Sequence, residues 1–302
     1  MKVQKRYLDG FKEKTLRCLV AKQEKRHLYS IRAEDLIRVH RCTICSSRNL
    51  TLLTEVYLDG KLNFFTTKVC NKCLHVFRSV SPSLAWFKKC WQIIRTKEPE
   101  IFNPEMEAIR RNRYRRYAKI MRRYKMRGKV LDIGAGYGSG TKVFQEMGYE
   151  VDAIEPEDNK ARYITQILHI PVQQTSFEHM QVRKKYDVII LAHCLEHLDN
   201  PREALIRIKK LLRPDGILYL EVPIIWNFVT WSDALYLTHK SNFSEENIIY
   251  LLQDCDFEVF ETVHMRSAGK GPLDFGLVVH QKTKINQPAL PIIKKTIAHV
   301  AA

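Results

Sequence analysis

Residues 129–140 read KVLDIGAGYGSG, an apolar run that breaks into alternate glycines. Val130, Leu131 and Ile133 make an apolar run that ends abruptly in Gly134, Gly136, Gly138 and Gly140. Such a run is a buried strand, and alternate glycines after it build a tight turn whose backbone can approach a ligand. SGTKVFQEMG (139–148) then reads as a helix closed by Gly148. Strands and helices alternate from there: YEVDAIEP (149–156), NKARYITQILH (159–169), PVQQT (171–175), YDVIILA (186–192), PREALIRIKKLLR (201–213) and GILYLEVP (216–223). That alternation predicts an α/β fold, doubly wound, with a mostly parallel seven-stranded sheet. A helix capped at Ser244 follows, and FEVFETVHM (257–265) with DFGLVVHQK (274–282) closes the sheet as an antiparallel hairpin.

The turn is not that of a dinucleotide site. G-x-G-x-x-G counted from Gly134 would need glycine where Ser139 stands. The observed order is apolar-apolar-Asp132-apolar-Gly-x-Gly-x-Gly, which suits a ligand with an amino-acid end and a sulfonium better than a pyrophosphate. Glu155 ends the next strand, placed for a carboxylate to accept hydrogen bonds from both hydroxyls of a ribose. Gln174-Thr175-Ser176-Phe177 follows the short strand, where an adenine edge and face would lie. Ala192 and His193 end the central strand in YDVIILAHCLEHLDNP.

These four elements in order resemble the class I S-adenosylmethionine (SAM)-dependent methyltransferases over residues 129–282, on VLDIGAGYG, Glu155, CLEHLDNP and LLRPDGILYLEVP. The resemblance implies an enzyme that binds SAM through Asp132, Gly134, Ala135, Gly136, Gly138, Glu155, Ser176, Phe177, Ala192 and His193.

The rest of the chain has a different character. The whole chain carries 50 Lys and Arg against 33 Asp and Glu in 302 residues, a formal charge of +17. Residues 1–129 hold 32 basic and 11 acidic side chains, whereas 130–302 hold 18 and 22, so a basic module precedes a nearly neutral body. Residues 1–41 read as basic, weakly amphipathic helices, 81–128 as a helical linker with its second helix begun by Asn103 and Pro104 and stopped at Gly128, and 285–302 as a tail. No stretch is apolar enough for a membrane span or a signal peptide, and eight cysteines then indicate thiols or metal ligands in a cytoplasmic protein.

Cys42-x-x-Cys45 and Cys70-x-x-Cys73 form two knuckles 24 residues apart, bracketing β-rich text around Asp59-Gly60. Four thiolates so arranged suit one closed, structural Zn²⁺ in a small zinc-ribbon-like module over 42–80, with His40 and His75 flanking it. Cys18, Cys90, Cys194 and Cys255 read as ordinary thiols. Knuckles, a Trp-containing helix and a SAM domain (129–284) together resemble bacterial methyltransferases that modify sugars. Their substrate loop reads Tyr-x-Glu-His. Here it is Tyr236-Leu237-Thr238-His239, which leaves O-methylation open beside C-methylation.

A base is needed if the acceptor is a hydroxyl or a carbon acid. His239 and Tyr236 are the first candidates, and Glu196 and His197 the second, while Trp226, Phe228 and Trp231 suit an acceptor wall. A saccharide or small-molecule acceptor leads. The basic front with Tyr114, Tyr117 and Tyr124 also suits RNA or an anionic membrane surface, so the alternatives are a zinc-containing methyltransferase of ribosomal or transfer RNA and a non-catalytic RNA-binding or scaffolding protein.

Overall fold

In a computed structural model, residues 31–58, 62–83, 85–86, 102–181, 184–224, 238–266 and 273–281 are described. An antiparallel sheet comes first: β1 (Leu36–Arg38), β2 (Leu50–Leu58), β3 (Leu62–Cys70) and β4 (Val76–Pro82), in the order β1-β4-β3-β2. Leu36–Arg38 is thus a strand and not part of a basic helix. It pairs with Pro82, Ser81 and Val80 of β4, whose open edge outcompetes the weak helical pattern there. The first sheet accordingly begins before residue 42 and runs to Pro82. The expected helices of residues 1–30, the Asp59-Gly60 turn, most of the linker helix, the substrate loop 225–237 and the tail lie outside the described residues.

α1 (Pro104–Arg122) starts where Asn103 Oδ1 accepts the N–H groups of Glu105 and Met106, at 3.1 and 3.2 Å. Such a cap is worth about 1 kcal/mol. Its helical pairing ends at Arg122, before Gly128, with Lys119 and Arg122 favourably placed against the helix dipole.

The second sheet contains β5 (Lys129–Ile133), β6 (Glu150–Ile154), β7 (Val172–Gln173), β8 (Tyr186–Ala192), β9 (Leu212–Pro223), β11 (Phe257–Arg266) and β12 (Leu273–Gln281). Its order is β11-β12-β9-β8-β5-β6-β7, parallel from β9 to β7, with β12 antiparallel to both neighbours. This is the expected seven-stranded mixed sheet with its closing hairpin. Helices α2 (Ser139–Glu146), α3 (Asp158–Gln166), α4 (Pro201–Leu211) and α5 (Glu245–Asp254) cover it.

The strands are buried on both faces, so they read as continuous apolar runs. Val130, Val188, Ile190 and Tyr219 pack with Tyr117 and Met121 of α1 and Phe144 of α2. Leu131, Ile133, Ile189 and Leu191 pack on the opposite side with Leu205, Ile208 and Leu251. No helix among the described residues is long and apolar enough to cross a membrane.

The two sheets are joined. The two-residue strand β10 (Ser241–Asn242) pairs antiparallel with Phe77 and Val76 of β4, although it lies in the C-terminal half of the chain. Cys42, Ile44, Cys70 and Phe77 belong to the same apolar core as Leu195, Phe243 and Leu251. Arg202 of α4 donates to the Ile44 carbonyl at 3.0 Å.

Candidate active site

The turn after β5 holds Gly134, Gly136 and Gly138 in the left-handed region, at φ of +77°, +59° and +75°. At Gly138 a Cβ would stand 2.7 Å from Leu168 Cδ1 and 2.9 Å from Ile164 Cγ1, so glycine lets α3 approach. At Gly136 a Cβ would meet nothing within 4 Å, so that position opens onto space at the carboxyl end of the sheet.

Glu155 reaches this turn from the end of β6. Its Oε2 accepts the Gly136 N–H at 2.8 Å and its Oε1 accepts the Glu157 N–H at 2.9 Å. Burial pushes its carboxyl up to about 7, against the pull of those two N–H groups. Asp132 is fully buried beneath the turn, where Oδ2 accepts from Thr141 Oγ1 at 2.8 Å. Its Oδ1 has no hydrogen-bond partner, and burial raises the group to about 6. Two buried carboxylates with spare acceptor capacity beside an open glycine turn fit a ligand that brings hydroxyls and positive charge.

Ala135 is buried at the same turn. Ser176 and Phe177 lie beyond β7. Ser176 Oγ is 2.8 Å from His179 Nδ1, and the buried Phe177 ring has the Arg207 guanidinium 5.4 Å from its centroid. That ring is a core residue, with an arginine near it.

Ala192 ends β8 and His193 follows it. His193 adopts φ +52° and its Nε2 sits 2.9 Å from Glu221 Oε1, 2.8 Å from Arg113 Nη1 and 3.5 Å from Asp274 Oδ2. Burial opposes charge on this ring, but the carboxylates of Asp274, Glu196 and Glu221 outweigh it and hold His193 well above its ordinary value. Arg113 from α1 completes the cluster, 3.0 Å from Asp274 Oδ2, while Tyr117 and Tyr219 donate to the two Glu221 oxygens. Sequence reasoning missed Arg113, Glu221 and Asp274. Glu221 was visible as a lone acid in an apolar strand, yet nothing marked its partners.

Glu196 and His197 lie in the short helical turn Leu195–His197 after β8. Segment 238–240 is fastened to it twice: Lys240 N–H donates to the Glu196 carbonyl at 2.8 Å, and His197 Nδ1 lies 3.1 Å from the Thr238 carbonyl. The rings of His197 and His239 therefore meet edge to face, centroids 4.9 Å apart. Burial lowers His239 to about 4, so it is neutral at pH 7. Glu196 is 1% exposed; despite that burial, the surrounding histidines hold it ionised, down to about 2. Tyr236 lies outside the described residues.

The cysteine knuckles share one geometry. Ser46 N–H donates to the Cys42 carbonyl and Leu74 N–H to the Cys70 carbonyl, and both Ser46 and Leu74 adopt φ +58°. The four sulfurs converge within 4.8 Å, with Cys42 to Cys73 and Cys45 to Cys70 both at 3.5 Å. His40 is exposed, and His75 is buried between Phe77 and Phe243.

A methyltransferase-domain family model matches residues 108–262, from within α1 to within β11. The chain belongs to this family. The methyltransferase domain is 35% identical over 103 residues to the ubiquinone biosynthesis O-methyltransferase of Haemophilus ducreyi, covering 30% of this chain and 44% of that protein. An uncharacterized methyltransferase of Alkaliphilus oremlandii is 27% identical over 144 residues, covering 46% and 64%. The chain thus spans about half the length of the curated relatives it matches. In fold, the domain resembles the 1,6-didemethyltoxoflavin-N1-methyltransferase of Burkholderia thailandensis, solved with S-adenosylhomocysteine, at a TM-score of 0.53 and 18% identity, covering 76% of this chain and 99% of that one.

Proposed function

We propose that this chain is a SAM-dependent methyltransferase acting on a saccharide or small-molecule acceptor, with a structural zinc in its N-terminal module. The carrying observation is the Gly136–Glu155 contact at the carboxyl end of the sheet, with open space at Gly136 and an unpartnered Asp132 oxygen below. SAM, when bound, supplies an electrophilic methyl group. Glu155 would take the ribose hydroxyls, and Asp132 the positive charge of the amino-acid end. The chain's further task is to orient the acceptor and, for a hydroxyl, to take its proton. His239 is neutral and fastened beside His197, which suits it to that step.

The cysteine cluster fits zinc. Four sulfurs at about 2.3 Å from one tetrahedral ion lie about 3.8 Å apart, close to the 3.5 Å pairs here. Cys42, Cys45, Cys70 and Cys73 would hold the ion, leaving it no open position and hence a structural role.

One observation favours a second reading. Arg115, Arg116, Lys119 and Arg122 are exposed on α1 with no acidic partner among the described residues, a stripe that suits an RNA acceptor. Incubation with methyl-labelled SAM and, separately, sugar nucleotides, surface glycan or total RNA decides between them. Label in the saccharide or small-molecule fraction is expected, and label in RNA alone replaces the first reading with the second.

A further inference from the structure

We infer that Glu196, His197 and His239 form a second metal site, distinct from the cysteine cluster, that takes one divalent transition-metal ion. A carboxylate oxygen and two imidazole nitrogens from these residues lie within 4.8 Å of one another. Two histidines and a carboxylate are a donor set for zinc, iron or cobalt, not for calcium or magnesium.

The Thr238 carbonyl can only accept, so the His197 Nδ1 that lies 3.1 Å from it carries the hydrogen. In the neutral ring, Nε2 then presents a lone pair. Nε2 lies 3.9 Å from Glu196 Oε1, itself an acceptor. The gap is too long for a hydrogen bond even with a protonated ring. An ion shared by two such donors at about 2.1 Å in a tetrahedral set holds them about 3.4 Å apart, so the pair is an open form of a ligand set.

Glu196 supplies the second observation. It is 1% exposed, and its Oε2 is buried with no hydrogen-bond partner. A buried carboxylate oxygen in that state calls for a cation. The nearby cations are shared: Arg113 lies against Glu221 and Asp274, and the single charge of His193 serves those two as well as Glu196. His193 Nδ1 stands 3.7 Å from Glu196 Oε1, again beyond hydrogen-bond reach. The Nδ1–H to carbonyl contact of His197 is also the arrangement that orients a metal-ligating imidazole. With three protein donors, such a centre would keep a position for an oxygen of a bound acceptor; with the ion in place His239 would be a ligand and not the base, and the ion would instead lower the pKa of the acceptor hydroxyl.

Zinc content of the full chain tests this without reference to methyl transfer. Wild-type protein and the variants Glu196→Gln and His197→Ala/His239→Ala are dialysed against zinc chloride, desalted and measured by elemental mass spectrometry. The variants should hold one zinc fewer per chain than wild type, and equal content overturns the site. A second measurement needs no variant. Cobalt(II) added to wild type holding one equivalent of zinc, enough for the four-thiolate cluster alone, should give ligand-field bands without sulfur-to-cobalt charge transfer. Absence of bands, or bands with that charge transfer, overturns the proposal.

Discussion

The Gly136 N–H donates to Glu155 Oε2 across 2.8 Å, fastening the turn after β5 to the end of β6. Glu155 thus shapes the turn and, with its remaining lone pairs, faces the space the turn opens. Glu155→Ala should raise the dissociation constant for SAM by on the order of 100-fold, the loss of two hydrogen bonds to a charged acceptor. Titration calorimetry measures it, and unchanged affinity removes Glu155 from the cofactor site.

The same carboxylate sets a pH dependence. Burial raises Glu155 to about 7, and ribose hydroxyls are accepted best by the ionised form. SAM affinity should therefore climb as pH rises through 7 and fall by up to about tenfold per unit below it. Asp132, raised to about 6, adds to the fall at lower pH. Glu155→Gln should flatten the upper part of the profile and Asp132→Asn the lower. A flat wild-type profile from pH 5 to 8 refutes the assignment.

Two glycines of the turn should separate stability from binding. Gly138→Ala combines φ +75° with contacts below 3 Å to Leu168 and Ile164, so it should cost about 2–4 kcal/mol of folding stability. Gly136→Ala carries only the backbone strain of φ +59°, about 1 kcal/mol, but projects a methyl into the open space where ligand would lie. Thermal unfolding should rank Gly138→Ala as the less stable. Calorimetry should rank Gly136→Ala as the weaker binder relative to its stability. The reverse ranking would place the cofactor elsewhere.

The turn and its acid were legible because they depend on short-range order: a strand, glycines without Cβ, then a carboxylate at the next strand's end. The Arg113–His193–Glu221–Asp274 cluster was not, because topology assembles it from α1, β8, β9 and β12. Arg113 is one of many arginines between 110 and 127, and only the fold selects it. Leu36–Arg38 misled for a related reason, since a three-residue strand exists only where β4 offers an edge. The strand Ser241–Asn242 is shorter still, and no periodicity announces it.

That short strand gives the cysteine module a role at the site. The Arg78 N–H of β4 donates to the Lys240 carbonyl at 2.8 Å, and Ser241 and Asn242 pair with Phe77 and Val76. Lys240 in turn donates its N–H to the Glu196 carbonyl, next to His197. β4 begins three residues after Cys73, so order at the cysteine cluster passes along it to His239. Cys45→Ser should lower kcat at least about tenfold by displacing His239, since an ångström of misplacement suffices for that. SAM affinity should change little, because the β5 turn and Glu155 belong to the second sheet and are fastened to each other rather than to the β4–β10 pairing. Parallel calorimetry and turnover measurements below the melting temperature distinguish the two effects. Equal losses in both would make the module a general stabiliser of the fold, and unchanged turnover would sever the link between the cysteines and His239.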